Sequence, residues 1–406
     1  MMRAGLKLVA LWSLAAALGS GSAIAGDKRE VVWDGFSFQA EQGQTEKCPE
    51  NVHPSCKLLN SESYDERFAT KLAAIEDDKY QFVNKAETDK GETLHLTITV
   101  NFEWADIQPI SSLNGLRPTT LVGRYQMCST LMLYSATASN YQIENAKSNC
   151  YLKPIFLKDL DRQGVKASFI ADFINGADSE KQVNVEQNWL AEASQIIARR
   201  RGIHKSINVA SVALDDSIYS GDEFRRERLK LFIAEHLSYQ LSNAFGKPII
   251  PPGLSGRGAM ALSFRDPSRN REIKLWPAAY SLAVNVAPFQ KKVIEERPGL
   301  PFETFFSIVG LTCESASKEK VLDGAGLYFV SRRALLTQAP KMSPEEELSE
   351  AIAKNQIPLE NLGSLLAKIA AQIKAPDKKW VESRVYKTDP AVVFNGFGKI
   401  YSALKD

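Results

Sequence analysis

The residues of this 406-residue chain with the most chemistry to offer are five cysteines and four histidines. Cys48 and Cys56 bracket one polar loop, Cys48-Pro49-Glu50-Asn51-Val52-His53-Pro54-Ser55-Cys56. With His53 inside it the loop holds three soft donors, and a closed zinc site takes four. The spacing therefore predicts a disulfide, worth about 2.5 kcal/mol through loop-closure entropy. Cys128 and Cys150 are equidistant from residue 139. Ala138-Ser139-Asn140 is the expected turn of a symmetric hairpin, which sets Cys128 opposite Cys150 on one face and Met127 opposite Tyr151 on the other. Directly opposite strand positions bring Cβ atoms close enough for a disulfide. Cys313 lies in an apolar run with Ile308, Val309 and Leu311, and is expected as a buried thiol.

No catalytic signature is found around these residues. His53, His95, His204 and His236 form no zinc-protease pattern. Gly253-Leu254-Ser255-Gly256-Arg257-Gly258 begins like a nucleophile elbow, but Arg257 stands where the elbow needs glycine, and Pro251-Pro252 precede it. Asp77-Asp78 and Asp215-Asp216 fall at element ends, where paired carboxylates are normally solvated. The expectation is no catalytic residue, no cofactor and no metal. Two rival readings remain: a secreted hydrolase whose site is assembled from residues far apart in sequence, and a glycan or ligand binder using Trp33, Trp104 or Trp276 for stacking.

The N-terminus reads as a cleavable export signal. Arg3 and Lys7 give a basic start, residues 8–18 an apolar run too short to span a bilayer, and Ala23-Ile24-Ala25 the small residues of a cleavage site. Removing Arg3 and Lys7 from the 50 basic residues leaves 48, equal to the 48 acidic ones. A chain so balanced points to no nucleic-acid partner. No later segment reads as a transmembrane span.

Elements that could position these side chains recur in one order. Val31 to Phe38 reads as a strand, Tyr64 to Ile75 as a helix, Leu94 to Trp104 as a strand with every second residue apolar, and Leu121 to Tyr134 as another strand. The order then repeats: Ile207 to Leu214, the amphipathic helix Glu223 to Phe245, Tyr280 to Val286, and Phe305 to Leu311. Corresponding strands are offset by 176 residues (Val31 to Ile207) and 186 (Leu94 to Tyr280). Asp178 to Arg201 reads as a helix ending in Arg199-Arg200-Arg201 before Gly202. Ser343-Pro344-Glu345-Glu346 starts a further helix, and Leu359, Leu362, Leu366, Ile369 and Ile373 give a second one an apolar face. The expected fold is α+β: two tandem strand-helix-antiparallel-strand modules (26–160 and 203–335), a helical linker (161–202) and a helical C-terminal extension (336–406), behind a signal peptide (1–25).

Modules of this order resemble the small periplasmic domains of the TolB N-terminal and CsgG-like type, over residues 26–333. The resemblance implies a periplasmic scaffold or adaptor of a bacterial secretion, flagellar or peptidoglycan-associated assembly, with other envelope proteins as partners and oligomerisation possible. The export reading fixes one outcome. The mature protein should begin at Gly26 when its N-terminus is sequenced, and retention of Met1 would remove the argument for the periplasm.

Overall fold

The computed structural model describes residues 28–39, 53–83, 93–110, 120–137, 140–162, 164–176, 184–198, 206–245, 249, 259–265, 270–274, 278–297, 300–334 and 344–405. Its first half contains β1 (Arg29–Phe38), α1 (Cys56–Leu59), α2 (Glu62–Ala73), β2 (Tyr80–Val83), β3 (Thr93–Ile110), β4 (Thr120–Thr137) and β5 (Asn140–Ile155). A short ribbon, β6 (Leu160–Asp161) with β7 (Gly164–Val165), leads into α3 (Ala167–Asn175) and α4 (Val185–Ala198). The second half begins with β8 (Ser206–Leu214), α5 (Glu223–Phe245), β9 (Ala259–Phe264) and β10 (Arg271–Lys274). It continues through β11 (Ala278–Val286), β12 (Gln290–Arg297), β13 (Leu300–Ser315) and β14 (Lys320–Ala334). The chain ends with α6 (Pro344–Lys374), α7 (Lys378–Arg384), β15 (Val385–Tyr386) and α8 (Pro390–Leu404). This is a mixed α+β fold.

The two halves share strand order, strand direction and register. In the first, β1 runs parallel to β3, which pairs antiparallel with β4, and β4 with β5; β8, β11, β13 and β14 repeat this. Val31 pairs with Leu94, and Ile207 with Tyr280, the same offsets that the sequence shows. Even the irregularity recurs. Asp34 is an extra residue between the Trp33–Leu96 and Gly35–Thr97 pairs, and Ala210 is one between Val209–Leu282 and Ser211–Ala283. A β-bulge of this kind kinks the strand and re-aims a side chain.

The halves also interlock. The β9–β10 hairpin lies in the second half of the sequence, yet it joins the first sheet, β10 beside β5 and β9 beside β1. The sheet thereby closes into a ring of β1, β3, β4, β5, β10 and β9, with β2 paired to Arg29–Val32 and β9 to Ser37 and Phe38 along the edge of β1 that β3 does not take. Met132, Tyr134, Ile143, Leu262, Phe264 and Ile273 fill the ring. On the outside, Leu94, Leu96, Ile98 and Val100 pack with Phe68, Leu72 and Trp189 of the helices.

Several expectations change with tertiary structure. The alternation from Leu94 to Trp104 was expected to hold one face throughout, but Asn101 is an extra residue between the Val100–Ser129 and Phe102–Cys128 pairs. A one-residue slip reverses every side chain beyond it. Phe102 and Trp104 therefore join the core of the second half rather than that of the first. Trp33 and Trp104 are both buried core residues, not stacking platforms. Within the expected helical linker, the described helices α3 and α4 belong to the first half. Phe169, Phe173, Val185, Trp189 and Ile196 of α3 and α4 complete the first core. Phe224, in the first turn of the amphipathic α5, is 61 % exposed.

The C-terminal helices are likewise no separate extension. One helix, α6, runs through Pro358, where two had been expected. Burial of Leu359, Leu362, Leu365, Leu366, Ile369 and Ile373 outweighs the roughly 3 kcal/mol cost of an internal proline. These residues pack with Leu229, Ile233 and Leu237 of α5 in the same core as Val393, Phe397 and Ile400 of α8. Helix α6 takes against α5, β13 and β14 the position that α4 takes against α2, β4 and β5.

Cys128 faces Cys150 and forms a disulfide, and Met127 faces Tyr151, as expected, but the hairpin is not symmetric: Asn140 already pairs with Thr137, and Glu144, an extra residue between the Tyr134–Ile143 and Leu133–Asn145 pairs, brings the cysteines into line. Cys313 is a buried free thiol. Cys56 is disulfide-bonded, and Cys48 lies outside the described residues, as do residues 1–27, Arg199 to Gly202, His204, Gly253 to Gly258 and Trp276.

Removing residues 344–406 should therefore unfold the second half. Each large side chain stripped from this core is worth about 1.5–3 kcal/mol, against a total stability of about 5–15 kcal/mol. Calorimetry of the truncated protein should show loss of the cooperative transition of that half; an unchanged transition would mean that the helices are dispensable.

Candidate functional site

The β1 bulge builds a buried polar site beside an open cleft. Gly35 follows the bulged residue at φ +100°, a conformation that favours glycine, and an added Cβ would lie 3.5 Å from the carboxylate of Asp65. The kink places the Asp34 carboxylate beside His95 of β3 and Tyr134 of β4. His95 Nδ1 lies 3.1 and 3.0 Å from the two Asp34 oxygens. The Tyr134 hydroxyl donates to Asp34 Oδ2, and its ring stacks on His95 with centroids 5.2 Å apart. Burial and the neighbouring Asp34 carboxylate push the Tyr134 phenol well above its ordinary range, so it stays a neutral donor. Nδ1 is the ring nitrogen that faces the carboxylate, and a proton on it makes this contact a hydrogen bond donated to Asp34. Further along, Ser37 Oγ and Thr99 Oγ1 are hydrogen-bonded at 2.6 Å, and Thr97 Oγ1 donates to the Gly35 carbonyl at 2.8 Å.

An open cleft of about 420 Å³ adjoins Asp34, with Trp33, Glu62, Asp65, Glu66 and Arg265 on its walls. Trp33 Nε1 donates to Asp65 at 2.9 Å, and Arg265, beyond the end of β9, reaches Glu62 at 3.3 Å. The second half has the bulge without the chemistry. Ala210, Ser281 and Glu314 hold the positions of Asp34, His95 and Tyr134, by the same pairing of Ser281 with Glu314 as of His95 with Tyr134.

Two other buried carboxyl groups have structural surroundings. Glu103 accepts from Ser55 N at 2.7 Å, from Ser55 Oγ at 2.9 Å and from the Tyr125 hydroxyl, with His53 Nδ1 3.7 Å away. Burial raises its pKa, while His53 and Ser55 pull it back. The cluster pins the loop leading to Cys56. Glu235 of α5 is buried where the second half meets the first. Desolvation pushes its carboxyl to about 8, and the side chain of Asn101, the bulged residue of β3, pulls it back. Asn101 Oδ1 is itself buried without a hydrogen-bond partner, and a neutral Glu235 carries the O–H that can satisfy it. The adjacent His236 is pushed down to about 4 by burial and is neutral, seated where Gly363 of α6 leaves room.

Of the residues singled out by type, His95 joins the Asp34 site and His53 the Glu103 cluster. Asp77 accepts from the backbone of Lys79 and Tyr80, and Asp215 from Ser217, ordinary turn roles. Among the described residues no three His, Cys, Asp or Glu side chains are placed to hold a metal ion. Asp34 and Tyr134 were missed. The available signal was Asp34-Gly35 interrupting an otherwise apolar strand, a mark of a bulge. No protein-family model matches the chain, and no curated protein matches it.

Glu235 makes stability depend on pH. A carboxyl that titrates near 4.5 unfolded and near 8 folded favours the folded state when protonated, so stability falls as pH rises from about 4.5 to about 8. Replacing Glu235 with Gln should remove that decline and stabilise the protein at pH 8 by about 1 kcal/mol or more, read from denaturant midpoints at pH 5 and pH 8. A wild-type midpoint that rises over this interval while the variant's stays level would refute the assignment.

Proposed function

We propose that this chain is an exported, non-catalytic structural or adaptor component of a bacterial cell-envelope assembly, working in the periplasm by holding other envelope proteins in place. The observation that carries this reading is the interlock. Phe102, Trp104 and Cys128 of the first sheet share one core with α5, α6, α8 and the second sheet, and the second half supplies the hairpin that closes the first. Arg225 of α5 adds a charged clasp, with Nη2 2.5 Å from Asp106 of β3, whose other oxygen lies 3.9 Å from Arg124. Burial in one core removes the hinge between modules that a clamshell enzyme needs, and suits a rigid platform. The likeness in element order to periplasmic scaffold domains points the same way, as do the export signal and the disulfide.

The cleft beside Asp34 favours a second reading, in which the first half binds an envelope ligand whose hydroxyl or ammonium groups donate to Asp65 and Glu66. Chemical cross-linking in intact cells followed by purification separates the two. The adaptor should come away with a reproducible set of envelope proteins in stoichiometric amounts. Recovery of an isolated monomer that binds or cleaves peptidoglycan fragments would replace it with the ligand reading or the hydrolase.

A further inference from the structure

The two faces of the second sheet are covered unequally. Its helical face packs on α5, α6 and α8, with Val309, Leu311, Ala325 and Leu327 fully buried. On the opposite face Phe306 pairs with Val330 and Ile308 with Tyr328, a two-by-two block of large side chains that are only half-buried. Tyr386, beside Gly326 on β15, extends the block and is 43 % exposed. None of these five residues belongs to a core cluster. The solvent face of an antiparallel sheet is normally polar, and an exposed apolar patch on it marks an interaction site.

The first half shows what covers such a block. By register, Ile308–Tyr328 corresponds to the Cys128–Cys150 pair, and Phe306–Val330 to Gln126–Leu152. That Cys128–Cys150 pair lies under α5, an amphipathic helix from the neighbouring half that crosses β3 and β5. In the second half no described helix crosses the block; α7 reaches only its edge, where the Tyr328 hydroxyl donates to the Ser383 carbonyl at 2.9 Å. The block also has a defined charge. Lys292 lies 5.9 Å from the centroid of the Phe306 ring, Arg384 5.7 Å from that of Tyr328 and Lys387 5.0 Å from that of Tyr386. Each aromatic ring of the block thus carries a cation, and Lys292 and Lys387 are exposed. Two such faces would repel each other, which disfavours a second copy. A complementary surface is apolar along its centre and acidic at its margins.

We propose that the outer face of the second sheet, centred on Phe306, Ile308, Tyr328 and Val330, docks an amphipathic helix of another protein, with acidic residues flanking its apolar stripe to meet Lys292, Arg384 and Lys387. This rests on the adaptor reading and supplies the kind of partner. The helix lies across the sheet as α5 lies across β3 and β5, and buries the apolar block in the same way.

The test places the photocross-linker p-benzoylphenylalanine at Ile308, at Val330 and, as a control, at exposed Asn285 of the same face, in the full chain in living cells. Adducts should form from 308 and 330 and not from 285, and mass spectrometry should map them to a segment with helical apolar spacing and flanking Asp or Glu. The K292E/K387E double variant should lower adduct yield about tenfold or more, whereas K292R/K387R should keep it. Adducts with this chain's own peptides or with lipid, adducts with a segment lacking acidic flanks, a yield indifferent to charge reversal, or no adduct at either position would each overturn the docking surface. Ile308→Glu separates this outcome from the adaptor reading. If the folded variant still co-purifies with the assembly of the wild type, the surface is wrong and the adaptor stands; if the wild type co-purifies with nothing, the adaptor itself falls.

Discussion

Burial of α5 on two sides is the constraint on which the rest of the structure depends. Leu229, Ile233, Leu237 and Leu241 bury against the second half's own sheet and α6, while Phe102, Trp104 and the Cys128–Cys150 pair of the first sheet join the same core. Burying one large apolar side chain contributes about 1.5–3 kcal/mol, so a helix with apolar partners on both sides resists separation of the halves. The bulge at Asn101 is the geometric condition. Without the extra residue, Phe102 and Trp104 would face the helices of the first half, and α5 would lie on polar side chains.

The same seam carries polar groups at a cost. Glu235 and Asn101 meet there, and Ser238 and Ser242 of α5 have buried hydroxyls without partners. A buried polar group lacking a partner costs about 1–3 kcal/mol, which the apolar contacts must offset. Such groups penalise any sliding of α5 that would break the Asn101 contact without making another.

The repeated bulge separates architecture from chemistry. Asp34 and Ala210 occupy the same irregular position in the two halves, so the kink belongs to the module rather than to any reaction. Asp34 exploits the kink to reach His95 and Tyr134, while Ala210 makes no such cluster. The first sheet also closes its polar face with the borrowed hairpin, whereas among the described residues no helix crosses the outer face of the second. One sheet is therefore an enclosed ring, and the other keeps a half-buried apolar block on its outer face.

Local pattern alone determined much of this. Strand-forming runs marked β1 and β8, period-two alternation marked β3 and β11, the spacing of Cys128 and Cys150 pointed to their pairing, and the offsets of 176 and 186 marked the residues that correspond in the two parallel pairs. Those signals are carried by neighbours in the chain or by spacing about a turn. Tertiary structure decided what depends on distant partners: the transfer of β9 and β10 to the other sheet, the change of face at Asn101, and the absorption of α3, α4 and α6 into the two cores. The polar site was legible only as Asp34-Gly35 breaking an apolar run. Its partners, 61 and 100 residues away, are brought together by strand pairing, which no short stretch of sequence encodes.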